Sequence, residues 1–454
     1  MDAARPEGSG PAQAGPRATA RPSVLFLSAD PVGASMAGAG IRYFELARVL
    51  GEHAAVRIAH TGARDETIEG IASFAYRPHA PRRLRGLLKD ASFVVCQPQW
   101  PLINHWLRRA GARVVFDIYD PETFETLELI SVEQPRRRRA FAELSLDRLH
   151  DALRTGHHFM CASEKQRDLW LGTMLGLRLI DPRRYDRDAT MRSVIDTVPF
   201  GLPSEPPAPL PGAGPRERLA GIDRDSELVL WNGGMWNWLD PVTAVRAAAL
   251  LAERRPRLRL VFMGASDKAA AAIASAAAHA AAHELGVHGS IVHFHEQWVP
   301  YEERAAWLTQ ADCAISTHDE HLETRFAFRT RLLDCFWSGL PVVCTDGDDL
   351  AERVARDGLG AVAPAGDVQA AAGAIAQVLD RGRESYAEPL ARVAAEYAWP
   401  SAAEALVRWV TQRQAPPRLG EARGAVGRTP LHRLRSVAYL AGGRMVLDRR
   451  YPRG

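Results

Sequence analysis

The order of apolar runs in this 454-residue sequence predicts an α/β protein of two doubly wound, parallel-sheet domains facing each other across a cleft. Three observations carry that expectation. Short β-rich runs alternate with longer helical stretches almost from end to end. The alternation is interrupted once, between Gly201 and Pro215, where six prolines and three glycines exclude both helix and interior strand. The composition, 46% hydrophobic and 24% charged, is that of an ordinary soluble globular chain, and at roughly 100 to 200 residues per domain the length holds two domains with appendages.

In the first half the strands are expected at Val24–Ser28, Ala55–Ala59, Phe93–Cys96, Val114–Asp117 and His158–Cys161, with helices between them such as 40–50, 101–110 and 139–154. The second half repeats the pattern with Leu228–Trp231, a helix from Pro241, Leu258–Met263, Ile291–Phe294, a helix over 301–309, Cys313–Ser316, a helix over 329–337, Pro341–Cys344 and a helix over 350–356. Strand, helix, strand units of this kind need right-handed crossovers and cover a parallel sheet on both faces. The alanine-rich run Lys268–Glu284 reads as a plain surface helix. Its His279 and His283 are spaced i, i+4, but the sequence offers no third ligand, so no metal site is expected there. Pro400 followed by Ser401 reads as a break and an N-cap opening a last helix that reaches about Val410.

Charge and cysteine usage narrow the function classes. Residues 415–454 hold nine arginines against Glu421 and Asp448, a basic tail of +7 that leaves −4 for the rest of the chain. The globular part is therefore not a nucleic-acid binder by charge. No run of about 18 apolar residues could span a bilayer. Residues 1–22 are rich in Ala, Pro and Gly without the apolar core of a signal peptide, and read as a disordered leader of a cytoplasmic protein. Five cysteines (Cys96, Cys161, Cys313, Cys335, Cys344), an odd number without a CxxC pair, read as reduced core thiols.

In open parallel sheets ligands bind beyond the carboxyl ends of the strands, so residues just after strands take priority. The first strand leads into a small-residue loop that ends with Gly38 and Gly40 at a helix start, where free amides suit an anion. Tyr43 stands where a third fingerprint glycine belongs and no acid closes the second strand, so no nicotinamide or flavin cofactor is expected. The strand Val114–Asp117 runs into Tyr119-Asp120-Pro121-Glu122; Asp120 suits either an acceptor hydroxyl or the cap of the next helix. The second domain opens with Asn232, Gly233 and Gly234 after a strand, a phosphate-contact pattern, beside Trp231, Trp236 and Trp238, which either face a sugar or base or pack the domain interface. The densest segment, Ser316 to Asp334, crosses a polar loop into a helix and carries Glu323, Arg325, Arg329 and Arg331. Guanidinium groups at a helix start match a diphosphate, and Asp334 could accept hydrogen bonds from a ribose diol.

On the glycine loop leading to Gly40-Ile41-Arg42-Tyr43-Phe44-Glu45, on Val198-Pro199-Phe200-Gly201, and on Asp334 followed by Gly339-Leu340-Pro341-Val342-Val343, the sequence resembles retaining glycosyltransferases of family 4, the glycosyl transferases group 1, which have the GT-B fold. The resemblance runs over residues 23–412. It implies two Rossmann-like domains: an acceptor-side domain over 23–200, a hinge over 201–215, a nucleotide-sugar-binding domain over 216–398 and a crossing helix over 399–414. Family members usually carry two acids separated by seven residues; here the second position is Asp334 and the first is Phe326, with Glu323 the nearest upstream acid. The basic pair that members often place after the first strand of the second domain is also missing from 232–240.

The resemblance implies transfer of a sugar, hexosyltransferase-type, from a nucleotide-diphosphate donor to an acceptor hydroxyl. Anomeric configuration would be retained, with no cofactor and no obligatory metal. The role falls on Asp120, Arg329 and Arg331 as catalytic residues and on Gly38, Gly40, Asn232, Gly233, Gly234, Glu323, Arg325 and Asp334 as donor contacts. Asp346-Gly347-Asp348 spells a metal-type DxD but reads as a turn and helix cap. A bacterial surface polysaccharide, glycolipid or natural product is the expected pathway, with a lipid-linked acceptor met through the basic tail at the membrane; the other reading of the tail is a disordered or self-docked segment. The competing classes are a non-catalytic nucleotide-sugar-binding module, which the missing first acid permits, and a dehydrogenase, which predicts nicotinamide binding.

Overall fold

The structure is a computed structural model and describes residues 21–33, 36, 38–77, 82–130, 133–264, 271–297, 299–412 and 417–422. The leader up to residue 20 and the tail beyond 422, including its amphipathic stretch at 430–440, lie outside the described residues.

Two sheets are present. The first contains β1 (Ser23–Leu27), β2 (Ala55–His60), β3 (Glu66–Ile68), β4 (Ile71–Ala75), β5 (Phe93–Cys96), β6 (Arg113–Asp117), β7 (His158–Cys161) and β8 (Ile195–Thr197), in the order β3-β4-β2-β1-β5-β6-β7-β8. All its pairs are parallel except β3 with β4. The second contains β9 (Glu227–Asn232), β10 (Leu258–Met263), β11 (Val292–His295), β12 (Cys313–Ser316), β13 (Val342–Thr345) and β14 (Gly360–Ala363), in the order β11-β10-β9-β12-β13-β14, wholly parallel. Both sheets reverse direction of winding beside their first strand, at β1/β5 and at β9/β12, and a doubly wound sheet opens its ligand crevice at that point.

The core follows from strand alternation. On β1, Leu25 and Leu27 face the helices Pro101–Arg109 and Pro135–Thr155, while Val24 and Phe26 face the helix Gly38–Leu50. That second face also takes Trp399, Leu406 and Trp409 from the end of the chain, so residues beyond the second domain return to complete the first. The second domain buries its own core, including Trp231 and Trp307. All five cysteines are free and buried.

Several expectations are corrected. Ser401 is not an N-cap: the helix starts at Trp399, with Ala398 before it and Pro400 inside the first turn, a place proline tolerates because it needs no amide donor. The basic tail is not wholly additional to the fold, since Leu419 is buried in the core of the first domain, its N–H donates to Gly156 O (3.0 Å), and Arg184 donates to Arg418 O (2.7 Å). Trp231 is buried within the second domain, and Trp236 and Trp238 stack on each other at 5.7 Å against that same core. His279 lies ring to ring with Phe294 at 3.7 Å. Strands β3, β4, β8 and β14 escaped the sequence pattern because β3, β4 and β14 are mostly half-exposed and β8 is three residues long. Among the described residues no helix is long and apolar enough to cross a membrane.

One buried ion pair fixes the crevice side of the first domain. Arg42, fully buried on the first helix, donates from Nε to Asp117 Oδ2 (2.7 Å) and from Nη2 to Asp117 Oδ1 (3.1 Å) at the end of β6. It also donates to the carbonyls of Val198 (2.7 Å) and Pro199 (2.8 Å) where the chain leaves for the hinge, and its guanidinium lies 4.5 Å from the Tyr119 ring centre. Burial pushes the Asp117 carboxyl up, and Arg42 and the Tyr119 backbone N–H pull against it. Arg42→Met is expected to cost about 3 to 5 kcal/mol, since it strands a buried carboxylate; pairing it with Asp117→Leu is expected to recover a large part of that loss in urea unfolding followed by tryptophan fluorescence.

Candidate active site

The carboxyl ends of β9 and β12 are tied together by the loops that follow them. Asp240 N–H donates to Thr317 O (3.0 Å) and Thr317 Oγ1 donates to Asp240 O (2.5 Å), while Asp240 caps the helix Pro241–Ala252 by accepting from Thr243 N–H. Gly233, in the loop so held, has φ +116°, which a side chain would resist.

A guanidinium from a later helix reaches the loop after β9. Arg331, on the helix Thr330–Trp337, donates from Nη2 to Gly234 O (2.8 Å) and lies 5.5 Å from the Trp231 ring, and Asn232 Nδ2 donates to Arg331 O (2.7 Å). Its Nη1 is buried without a hydrogen bond, and no carboxylate pairs with it among the described residues. Burial, and then the charge of Arg329, pull the Arg331 guanidinium down to about 9. A half-buried cation short of a counter-ion, beside glycine amides at a switch point, is built for an anion.

Arg329 is differently employed. It clamps Glu323 in a bidentate pair, Nη1 to Oε1 at 3.0 Å and Nη2 to Oε2 at 2.7 Å, with Glu323 only 1% exposed. Its Nε lies 3.8 Å from Asp348 Oδ2, which is also 3.6 Å from His318 Nε2. The other oxygen of Asp348 accepts from the N–H groups of Leu350 and Ala351, both at 2.8 Å, so the last residue of the DxD is indeed a helix cap. Arg325 is exposed, on the last turn of the helix Leu322–Phe326.

Asp334 is engaged at one oxygen. Arg304 donates from Nε to its Oδ1 (3.2 Å), and the same guanidinium sits 3.5 Å from the Tyr301 ring centre and 4.6 Å from that of Trp337. Burial pushes the Asp334 carboxyl up against the pull of Arg304. Arg304 was missed because it falls in an ordinary helical stretch; its signal was a Tyr three residues before it, placing ring and guanidinium on one face.

On the first domain, Gly38 is exposed at the start of its helix, with open space around it, whereas a Cβ at Gly40 would collide with Pro31 O. Gly40 therefore serves close packing of the loop on the helix, and Gly38 remains open to a ligand. Asp120 follows β6 but does not cap the next helix, Glu122–Leu129, whose N-cap is Pro121 without a side-chain bond. Burial and the nearby Asp117 push the Asp120 carboxyl up to about 7. Glu125 on that helix is pushed well above its ordinary range by burial, by Asp120 and by Glu323 of the other domain, with Arg329 opposing. Carboxylates from both domains thus meet across the crevice. Glu125 was missed, although its i, i+3 spacing from Glu122 was readable.

The comparisons agree with this architecture. Residues 226–381 match the family described as Glycosyl transferases group 1. Among solved structures, the sucrose-phosphate synthase of Thermosynechococcus elongatus superposes with a TM-score of 0.60 at 16% identity over 86% of this chain and 98% of that one. WaaG, a glycosyltransferase involved in lipopolysaccharide biosynthesis, superposes with a TM-score of 0.55 at 18% identity over 86% and 99%. HepE of Anabaena in complex with UDP-glucose superposes with a TM-score of 0.60 at 12% identity over 85% and 99%. Among curated proteins, none matches the sequence. The chain has the GT-B fold, and its second domain is that of a glycosyl transferases group 1 protein.

Asp120 gives a pH prediction. A carboxyl raised from 3.8 to about 7 on folding favours its protonated form in the fold, so its stabilising contribution is present at low pH and is lost as pH rises through 7. Asp120→Asn removes that loss. Its gain in Tm over the wild type is therefore expected to be larger at pH 8 than at pH 5 in matched thermal melts.

Proposed function

We propose that the protein transfers a hexose from a nucleotide-diphosphate donor to an acceptor hydroxyl with retention of configuration and without a metal. The single observation that carries the donor half is Arg331, brought beside Gly233 and Gly234 with no carboxylate partner. There a diphosphate would complete its hydrogen bonds, and as the glycosidic bond breaks the leaving group gains charge that this cation stabilises. HepE is described with UDP-glucose and a trehalose-6-phosphate protein of E. coli with UDP-2-fluoro glucose, which supports a nucleotide sugar as donor here. Gly38 at the opposite helix start and Arg325 at the rim stand as further donor contacts, and Asn232 holds Arg331 in place through its carbonyl.

Glu323 and Arg329 act in this reading as a pair rather than as separate groups. Arg329 holds Glu323 in place, and a diphosphate competes with Glu323 for Arg329. Asp120, half-buried with a carboxyl near neutrality, orients the acceptor hydroxyl and takes its proton. Asp334 contributes through Arg304. The setting we propose is the cytoplasmic face of a bacterial membrane, in the synthesis of a surface polysaccharide, glycolipid or natural product.

A non-catalytic nucleotide-sugar-binding module is the second reading, favoured by Phe326 at the first-acid position. The two separate in one experiment. A ligand that binds only the folded protein raises its Tm, so UDP, GDP and TDP and their sugars are screened by thermal shift. At least one is expected to stabilise the wild type, and Arg331→Ala is expected to weaken that ligand about 30-fold. Asp120→Asn is expected to keep donor binding and lower turnover about 100-fold. Donor binding by the wild type without turnover on any acceptor would establish the module instead.

A further inference from the structure

Phe326, which stands where the paired-acid pattern would put its first acid, is in contact with the first domain. Its ring stacks on Phe124 with centroids 5.6 Å apart and planes 17° apart. Its carbonyl accepts from Gln166 Nε2 at 2.9 Å. Gln166 is fully buried on the helix after β7, and its Oε1 accepts from Ala162 N–H at 2.8 Å, so one amide is fixed to the first domain at one end and holds the second domain at the other. Next to it Lys165 reaches Glu352 (2.7 Å) and Asp349 (3.6 Å) of the second domain.

The chemistry explains why an acid would not serve here. Glu323 already pushes the Glu125 carboxyl up across this contact. A third carboxylate against the face of Phe124 would add repulsion and lose solvation, whereas a phenyl ring adds apolar contact and no charge. Phe326 also ends the short helix that carries Glu323, so separating the domains must pull on the Glu323–Arg329 pair.

We infer that Phe326, Phe124 and Gln166 form an interdomain latch that holds the crevice closed before any donor binds. The chain thereby replaces a donor-contacting acid with a contact that sets its resting conformation. The inference concerns the shape of the free protein and stands apart from the donor reading.

Small-angle X-ray scattering of the full chain, with and without UDP, tests it. The free wild type is expected to scatter as the closed structure does, with no contraction on adding UDP. Phe326→Glu and Gln166→Glu are each expected to cut the ratio of closed to open molecules about tenfold and expand the particle, given the usual worth of an aromatic pair or a buried hydrogen bond; Phe326→Leu is expected to stay compact. A free wild type broader than the closed structure, or no expansion in the glutamate variants, overturns the latch. If circular dichroism shows Phe326→Glu unfolded, Gln166→Glu, which keeps shape and the Ala162 bond, decides alone. Scattering reads shape rather than turnover, so failure of the donor assignment leaves this result intact.

Discussion

The buried pair between Arg42 and Asp117 is the constraint on which the crevice depends. One guanidinium joins the first helix, the end of β6 and the carbonyls of Val198 and Pro199. Three separate stretches of chain therefore meet at a point just behind the loop that carries Asp120. The negative charge of Asp117 in turn helps to keep Asp120 protonated near neutrality. Burial first, and then a group that looks structural, set the chemical state of Asp120.

The two sides of the crevice solve an opposite problem. The first domain brings carboxylates, Asp120 and Glu125, into a poorly hydrated place; the second brings a surplus guanidinium, Arg331, to a glycine loop. Between them lies the Glu323–Arg329 pair, which neutralises itself. In the proposed reading an anion enters on the second side, beside Arg331, and a hydroxyl on the first, beside Asp120.

Fold class was legible because both sheets announce themselves through buried, β-branched strands of four to six residues, and because six prolines mark the junction. The weaker outer strands were not, since β3 and β4 alternate too little and β14 is glycine and alanine rich. Of the site, the segment 316–334 could be picked out by density of charge alone. What sequence could not show was which charges cancel: Arg329 with Glu323, Asp334 with Arg304, leaving Arg331. Nor could it show that Gly40 is needed by Pro31, or that Phe326 touches the other domain. These are pairings over 30 to 202 positions or a few residues around a bend, and spacing encodes neither.

The return of the chain to its first domain has a bearing on biosynthesis. Trp399, Leu406, Trp409 and Leu419 pack among residues made two hundred or more positions earlier. A ribosome releases the first sheet long before those side chains exist, so its helix Gly38–Leu50 waits with an apolar flank uncovered while the entire second domain is translated. Maturation of the amino-terminal half is therefore gated by the carboxyl-terminal end, and a nascent chain arrested before residue 419 carries a finished second domain attached to an unfinished first one.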